Sequence, residues 1–281
     1  MKLTIGIPTR NRRDYLLALL HSIESHEGTE ILVSDNASTD DTAKMLANYR
    51  MPRFRYWTNP ENIGVGRNVL KLIEQAQGEF IWIMGDDEIM LPGAIPTLLE
   101  ELRPATGLCI MPPKPGSRMV GAYRNFRGFA KRCETIEPTL LLDHSLITSN
   151  VVRKAEFHQG WARKYLEPVS DFSHMHGISG VWTEVIVRDP LYRMRKERAP
   201  AVDGVLPDLE GGWRGYLGTL EERGAITSAD RVLRAWRRRW LWDVIRDPGA
   251  GIRRVLREPK ALWWFLRRVV APRGVEPRSA Q

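Results

Sequence analysis

The first 105 residues alternate short apolar runs with segments of helical periodicity, and this order limits the fold more than any other feature of the sequence. Apolar residues recur at helical spacing over residues 15–23, soon after the first apolar run. Such an alternation predicts βαβ units on a mostly parallel α/β sheet. The four predicted strands are residues 3–7, 30–34, 53–57 and 80–84.

Three consecutive acids, Asp86, Asp87 and Glu88, follow the fourth predicted strand. Carboxylates this close repel one another, so burial raises their pKa values unless a cation or solvent compensates. Hard divalent ions such as Mg²⁺ or Mn²⁺ prefer carboxylate oxygens. The triplet is therefore a candidate metal site, although a solvated acidic turn explains the same three residues equally well.

A polar segment, residues 34–42, follows the second predicted strand. Ser38 or Thr39 stands where a cap is expected for a helix over residues 40–49. Capping does not require Asp35 and Asn36, which lie at the carboxyl end of the strand, where ligands bind in such sheets. A carboxylate and an amide there can bind the polar edge of a base or a ribose.

A glycine-containing loop, residues 59–68, leads into a predicted helix over residues 68–75. Its glycines permit close approach of the backbone, and Arg67 can bind a phosphate at the start of a helix. The spacing matches neither the dinucleotide fingerprint nor a Walker loop. Nicotinamide cofactors and ATP hydrolysis are therefore disfavoured.

Four segments in order resemble the successive signatures of family 2 glycosyltransferases with the GT-A fold. They are Pro8-Thr9-Arg10-Asn11, residues 34–42, the loop from Asn62 to Asn68, and Gly85-Asp86-Asp87-Glu88. The resemblance covers residues 1–105 well and residues 106–190 more loosely. It implies a Rossmann-like, mostly parallel central sheet flanked by helices, followed here by a C-terminal helical extension.

The resemblance also implies roles at the donor site. Asp35 would hydrogen-bond the base, typically uracil, and Arg67 would lie near the base and the diphosphate. Asp86 matches the first acid of the family's DXD motif, which contacts ribose or metal. The full implied donor set is Pro8, Thr9, Asn11, Asp35, Asn36, Asn62, Arg67, Asp86 and Asp87.

The implied metal ligands are Asp86 and Glu88, and the implied ion is Mg²⁺ or Mn²⁺. Glu88 stands where the family usually has an aspartate, which lengthens the ligand arm. Asp87 is the middle residue of the motif and is expected to face the donor sugar.

The resemblance implies a general base in the second half of the domain, where inverting members use an Asp from a Glu-Asp pair. Residues 149–157 resemble the segment before that pair, and Asp171 follows at a suitable distance, with Ser170 in place of the Glu. His174 lies one helical turn from Asp171 and is a second catalytic candidate. The alternative for His174 is a buried core or surface residue. Asp143 and His144 are weaker candidates and are expected to be loop residues.

The net charge of +8 is concentrated at the C-terminus. Residues 231–281 carry 14 Lys and Arg against 4 Asp and Glu, a net charge of +10, which leaves −2 for residues 1–230. The body has no basic surplus that would favour nucleic-acid binding. We expect a catalytic domain over residues 1–203, with a nucleotide-sugar half at 1–105 and an acceptor half at 106–203, and a basic helical tail over residues 204–281.

The tail carries two amphipathic segments. Leu233, Trp236, Trp240 and Val244 form one helical stripe among arginines, and residues 252–270 repeat the arrangement. Glycines at 211–212 and 224 are expected to mark loops. Basic amphipathic helices with aromatic residues suit an anionic membrane surface, so residues 231–270 are predicted to bind one. The alternative is that these faces pack on the catalytic domain.

Three absences bear on location. The chain begins without the long apolar run of a secretory signal, contains no apolar stretch of about 18 residues, and has only Cys109 and Cys133. We expect a cytoplasmic protein, peripheral on the inner face of the cell membrane, with the two cysteines serving as packing residues.

The expected activity is inverting transfer of a sugar, from a donor expected to be UDP-linked, to a hydroxyl of a glycan or lipid-linked acceptor in cell-surface polysaccharide biosynthesis. Two alternatives stay open at this point. One is a sugar-nucleotidyltransferase, which would need a Gly-rich triphosphate loop near the N-terminus, where residues 5–13 offer only Gly6. The other is an inactive, membrane-associated sugar-nucleotide-binding protein.

Overall fold

A computed structural model describes residues 1–144, 147–166, 173–195 and 205–246 of the chain. Within these ranges an eight-stranded sheet has the order β3-β2-β1-β4-β8-β6-β9-β7, and β5 pairs with β10 in a small antiparallel sheet. The strands are β1 (Leu3–Thr9), β2 (Thr29–Asp35), β3 (Phe54–Thr58), β4 (Phe80–Ile83), β5 (Glu88–Met90), β6 (Thr106–Ile110), β7 (Gly121–Tyr123), β8 (Asn150–Arg153), β9 (Glu184–Val187) and β10 (Tyr192–Met194).

The pairing of the large sheet is mostly parallel, as predicted. Strands β3, β2, β1 and β4 run parallel to one another, and β8 is antiparallel to both β4 and β6. Strand β9 is parallel to β6, and the edge strand β7 is antiparallel to β9. Six strands therefore point the same way, and the four predicted strands are confirmed to within two residues at each end.

Helices cover both faces of the sheet. They are α1 (Arg13–Ser22), α2 (Thr42–Asn48), α3 (Val65–Gln75), α4 (Ala94–Glu101), α5 (Phe126–Ile136), α6 (Leu140–Asp143), α7 (Gln159–Lys164), α8 (Ser173–Ile178), α9 (Val205–Glu222) and α10 (Ala229–Arg246). Strands between two helical layers are buried on both faces, which explains why all seven residues of β2 are buried. Apolar side chains of β1, α1 and α4 form one core, and those of α3, α5 and α9 form the other.

Register aligns the carboxyl ends of the strands at one edge of the sheet. Thr9 of β1 pairs with Asp35 of β2, and Asp35 pairs with Thr58 of β3. Strand β4 ends at Ile83, after which Met84 donates its backbone N–H to the Gly6 carbonyl at 2.9 Å. The polar segments that follow these strands therefore meet along one edge, where ligands bind in open α/β sheets.

Two predicted helices differ from the observed ones near this edge. Helix α2 spans Thr42–Asn48 rather than residues 40–49, and neither Ser38 nor Thr39 caps it. Asp40 accepts the Thr42 backbone N–H at 3.0 Å instead. Helix α3 begins three residues earlier than predicted, so Arg67 and Asn68 belong to the helix and not to the loop.

Residues 154–164 form a 3₁₀ turn (Lys154–Glu156) followed by α7. Between them Phe157 is extended and buried, with its ring packed against Gly177. Helix α9 runs through Gly211 and Gly212, which were expected to mark a loop.

Helices α9 and α10 pack on the core of the domain. Tyr216, Leu217 and Leu220 of α9 are buried in the core that contains α5. Val232 and Leu233 of α10 are buried in it as well, and the partly buried Trp236 packs against it. For Leu233 and Trp236 the alternative of packing on the domain is thus confirmed. The side chains of Trp240 and Val244 and the segment 252–270 lie outside the described residues.

Cys109 and Cys133 are free and buried, in agreement with the prediction that they are packing residues. Burial raises the pKa of the Cys109 thiol to about 12. Among the described helices, none combines the length and the apolar character needed to cross a bilayer.

Candidate active site

Asp86 lies at the centre of the polar edge, just beyond β4. Its side chain is buried, with 4% of the residue exposed. The Thr9 hydroxyl at the end of β1 donates to Asp86 Oδ2 at 2.8 Å, and Arg12 Nη1 donates to Oδ1 at 2.9 Å. Both carboxylate oxygens are thereby held by groups from the β1–α1 connection. Burial raises the pKa of Asp86, while the Arg12 charge and the Thr9 hydrogen bond oppose that rise.

Arg12 is the residue immediately before α1, and it faces two acids. Its Nη1 lies 2.9 Å from Asp86 Oδ1 and 3.8 Å from Asp87 Oδ2. Burial by itself would lower the pKa of Arg12, but the neighbouring charges of Asp86 and Asp87 raise it above its ordinary value. The guanidinium therefore stays charged and neutralises part of the acidic turn.

Asp35 shapes the turn after β2. Its Oδ1 accepts the backbone N–H of Ser38 at 3.1 Å and also the Ser38 hydroxyl, and its Oδ2 accepts the Thr58 hydroxyl at 3.2 Å. The residue is fully buried. Asp35 thus joins the ends of β2 and β3. Its contact with a base stays a prediction.

A buried amide network fixes the loop between β3 and α3. Asn36 Nδ2 donates to Asn62 Oδ1 at 2.7 Å, and Asn36 Oδ1 accepts the Ile63 backbone N–H at 3.0 Å. Asn59 Nδ2 donates to Asn68 Oδ1 at 2.9 Å, and Asn68 Nδ2 donates to the Ser34 carbonyl at 3.1 Å. The loop is thereby tied to the end of β2, with Asn62 at its exposed side.

Asn11 joins the first two polar segments. It is exposed and has a φ of 53°, a left-handed conformation that asparagine tolerates better than most residues. Its Oδ1 accepts the Thr39 backbone N–H at 2.7 Å, and its own N–H donates to Ser38 Oγ at 2.8 Å. The predicted donor residues Thr9, Asn11, Asp35 and Asn36 therefore belong to one connected edge.

Two other predicted donor residues lie along this edge. Pro8 is half-buried in β1 and pairs in register with Ser34. Arg67 is exposed in the first turn of α3. A positive side chain near the start of a helix adds to the local field that favours anions.

Asp87 and Glu88 complete the acidic turn. The Asp87 side chain is 30% exposed, and the half-buried Glu88 begins β5, in register with Met194 of β10. In the described ranges, no group of three or more His, Cys, Asp or Glu side chains converges as a metal site by itself. The carboxylate oxygens of the acidic turn fit Mg²⁺ or Mn²⁺ if the ion takes its other ligands from water and a phosphate-bearing ligand. Mg²⁺ commonly adopts such a coordination.

Residues that follow the four N-terminal strands in the chain also contact the acidic turn and the strand before it. Thr148 is buried, and its Oγ1 accepts the Gly85 backbone N–H at 2.9 Å, while its carbonyl accepts Trp82 Nε1–H at 2.8 Å. The next residue, Ser149, shares a 2.9 Å hydrogen bond with the Tyr192 hydroxyl at the start of β10. Burial raises the pKa of Tyr192, so its hydroxyl stays protonated. The acidic turn is thus held by residues from distant parts of the chain.

Of the candidate catalytic residues, Asp171 lies outside the described residues. His174 is buried in α8, as is His176. His144 is a fully buried residue after α6, and Asp143 forms an ion pair with Arg239. The direct role of His174 stays a prediction, and its burial favours the core alternative.

The sequence interpretation missed Arg12, Thr148 and Tyr192. A signal for Arg12 was present, since Arg10, Arg12 and Arg13 follow the first strand and complement an acidic cluster at a neighbouring strand end. Thr148 and Tyr192 carry no local signal, because their roles come from contacts across 63 and 43 positions of the chain.

Comparison with known proteins identifies the family to which this chain belongs. The model of Glycosyl transferase family 2 matches residues 4–146, just over half of the chain. The abequosyltransferase RfbV of Salmonella typhimurium is 39% identical over 35% of this chain. A GalNAc(5)-diNAcBac-PP-undecaprenol beta-1,3-glucosyltransferase of Campylobacter jejuni is 36% identical over 36% of this chain. The matches span 32% and 34% of those two proteins, about a third of their lengths.

Solved structures share the fold over a longer part of the chain. TarS 1-349 of S. aureus in complex with UDP-GlcNAc has a TM-score of 0.57 at 16% identity, covering 79% of this chain and 67% of that one. The mannosyltransferase PcManGT of Pyrobaculum calidifontis in complex with GDP-Man and Mn²⁺ has a TM-score of 0.51 at 13% identity, covering 93% and 82%. The chain belongs to glycosyltransferase family 2 and has the GT-A fold.

Proposed function

We propose that this chain is a metal-dependent glycosyltransferase that transfers a sugar from a UDP-linked donor, with inversion, to a hydroxyl of a glycan or lipid-linked acceptor in cell-surface polysaccharide biosynthesis. The observation that carries the proposal is the position of Asp86. A buried carboxylate between Thr9 and Arg12 stands at the strand edge where the amide network and the Asp35 turn also end.

The relatives support the individual parts of this proposal. Two are named for glycosyl transfer, and the acceptor in the name of the Campylobacter enzyme is a lipid-linked glycan. TarS, named as a poly(ribitol-phosphate) N-acetylglucosaminyltransferase, was solved with UDP-GlcNAc, which favours a UDP-linked donor here. PcManGT was solved with Mn²⁺, which favours a divalent ion.

The donor would bind along the strand edge. Pro8, Thr9 and Asn11 would line the base pocket, with Asp35 and Asn36 at the base or ribose and Asn62 and Arg67 near the diphosphate. Asp86 and Glu88 would hold Mg²⁺ or Mn²⁺, which when bound neutralises the leaving diphosphate. The Thr9 hydroxyl orients the Asp86 carboxylate before the donor arrives, so the carboxylate itself needs little reorganisation on binding.

The acceptor hydroxyl would lose its proton to Asp171 as the new bond forms. A carboxylate suffices because the hydroxyl becomes acidic only during the reaction, which makes position more important than a high pKa. His174 would act only if the acceptor cleft opens to α8. We also propose that residues 1–203 are the catalytic domain, with donor and acceptor halves at 1–105 and 106–203, and that residues 204–281 are a tail.

The tail would bind the cytoplasmic face of the cell membrane through residues 231–270. Leu233 and Trp236 pack on the domain, so the proposal relies on exposed arginines of α10 and on the segment beyond it. Arg234 and Arg238 are exposed and suit an anionic surface.

Turnover of UDP-, GDP- and dTDP-sugars with and without Mn²⁺ tests the function. The proposal predicts Mn²⁺-dependent release of the nucleoside diphosphate from one donor class and loss of that release in Asp86→Ala. No turnover of any donor by the wild type would contradict it. Pyrophosphate formation from a nucleoside triphosphate and a sugar phosphate would instead support the nucleotidyltransferase alternative.

A further inference from the structure

The backbone of Arg12 is fixed by α1, whereas its side chain is partly exposed. Its carbonyl accepts the Leu16 backbone N–H at 3.0 Å, the first hydrogen bond of α1, so the helix holds the main chain in place. Its side chain is 26% exposed, and the guanidinium reaches both Asp86 and Asp87. Movement of the charged head therefore breaks no backbone hydrogen bond of α1.

The Arg12 guanidinium occupies Asp86, one of the two acids proposed to hold the cation. Asp86 Oδ2 accepts from Thr9, and Oδ1 accepts from Arg12, so a metal ion that approaches Oδ1 must replace Arg12 or lie beside it. Two cations at one carboxylate repel each other. In the described structure fewer than three acidic, His or Cys side chains converge on one point, so protein ligands alone give the metal a weak site.

A bound diphosphate changes the competition between Arg12 and the metal ion in two ways. Its oxygens complete the coordination of a divalent ion, so the ion binds the carboxylate more tightly and competes better with the Arg12 guanidinium. They also offer the displaced guanidinium a pair of acceptors, and planar bidentate binding of phosphate oxygens is what an arginine fork does best.

We infer that Arg12 competes with the divalent cation for Asp86 when no donor is present, and turns to the donor diphosphate when metal and donor bind together. The inference rests on the proposed function, since it needs a nucleoside diphosphate group at this edge. Arg12 is on this account a positioning residue that makes metal binding depend on the donor.

The test measures Mn²⁺ and nucleotide binding separately in the full chain. The EPR signal of free Mn²⁺ gives the affinity for Mn²⁺ alone, and calorimetry gives the affinity for UDP at saturating Mn²⁺. Arg12→Gln is expected to bind Mn²⁺ alone about ten-fold more tightly than the wild type and to bind UDP about ten-fold more weakly. A general structural defect would weaken both, so the opposite signs identify the role.

Two further variants sharpen the test. Arg12→Met keeps most of the aliphatic stem without the charge, is expected to behave as Arg12→Gln does, and replaces it if that variant does not fold. Arg10→Gln removes one positive charge from an exposed position of the same turn and is expected to leave Mn²⁺ affinity within about two-fold of the wild type.

Equal or weaker binding of Mn²⁺ alone by the neutral Arg12 variants would overturn the inference. Failure of the wild type to bind UDP, GDP or dTDP at saturating Mn²⁺ would instead overturn the proposed function. The measurement with Mn²⁺ alone tests the competition between Arg12 and the metal whether or not the protein binds a nucleotide, because it uses no nucleotide.

Discussion

The Thr9 hydroxyl donates to Asp86 Oδ2 at 2.8 Å and joins the last residue of β1 to the first acid after β4, across 77 positions of the chain. The contact exists because β1 and β4 are parallel neighbours whose carboxyl ends reach the same edge. A short polar residue that ends one strand thus orients the carboxylate that follows the other.

Asn36→Ala should destabilise the protein by about 2 kcal/mol, because it leaves the Ile63 N–H and the Asn62 and Asn59 side chains without their buried partner. Urea unfolding gives the free energy, and steady-state kinetics should show a higher KM for the donor. Asn62→Ala, at the exposed side of the same network, is the matched control and should cost less than about 1 kcal/mol. Equal stability of the two variants would contradict the role given to Asn36.

Glu88→Gln should raise the Mn²⁺ concentration for half-maximal activity about ten-fold, since the amide keeps the shape of the side chain but removes a charged ligand. A titration of donor turnover with Mn²⁺ measures this. Glu101→Gln changes an acid of α4 that pairs with Arg188, and it should leave the titration unchanged. The assignment of Glu88 fails if both variants titrate as the wild type does.

The buried histidines should make the fold sensitive to acid. Burial, then the nearby charges of Arg223, His174 and Lys164, lower the pKa of His176 to about 3, and burial lowers that of His144 to about 4. An unfolded histidine has a pKa of about 6.5, so below that pH the unfolded chain binds more protons than the folded one. Stability is therefore fully present above about pH 6.5 and falls as the pH is lowered toward 3.

His176→Phe keeps an aromatic ring beside Tyr165, whose centroid lies 3.5 Å from that of His176, and removes the proton site. The loss of unfolding free energy between pH 6.5 and 5 should shrink by roughly 2 kcal/mol relative to the wild type. Urea unfolding at several pH values measures it, with the exposed His21→Phe as control. Parallel pH profiles of all three proteins would exclude His176 as a source of acid sensitivity.

The four strands near the site and the edge on which the site lies could be predicted from the sequence, because apolar period and strand-end polarity are local signals. The residue pairs could not. The base contact expected of Asp35 stays a prediction, whereas its hydrogen bond from Thr58, which the register of β2 and β3 brings to it, was not predicted. Gly211 and Gly212 suggested a loop, but the burial of Tyr216, Leu217 and Leu220 stabilises a continuous helix. Arg12 was missed because its partner is 74 positions away.

The double variant Arg234→Glu/Arg238→Glu should reduce flotation of the full chain with anionic vesicles at low salt, because each arginine near such a surface contributes about 1 kcal/mol. Truncation near residue 204 is a poor test, since it removes core residues of α9. Arg50→Glu/Arg53→Glu makes the same charge change at exposed positions after α2 and is the control. Equal flotation of the two double variants would remove the arginines of α10 from the membrane proposal.

The most direct test of the central claim is a crystal structure of the full chain with UDP and Mn²⁺, with GDP and dTDP in parallel. The account predicts a nucleotide along the carboxyl edge of β1, β2 and β4, with the base near Asp35, the diphosphate at the acidic turn and Mn²⁺ on Asp86 or Glu88. A nucleotide bound elsewhere on the protein, with Asp86 still held by Thr9 and Arg12 alone, would contradict it.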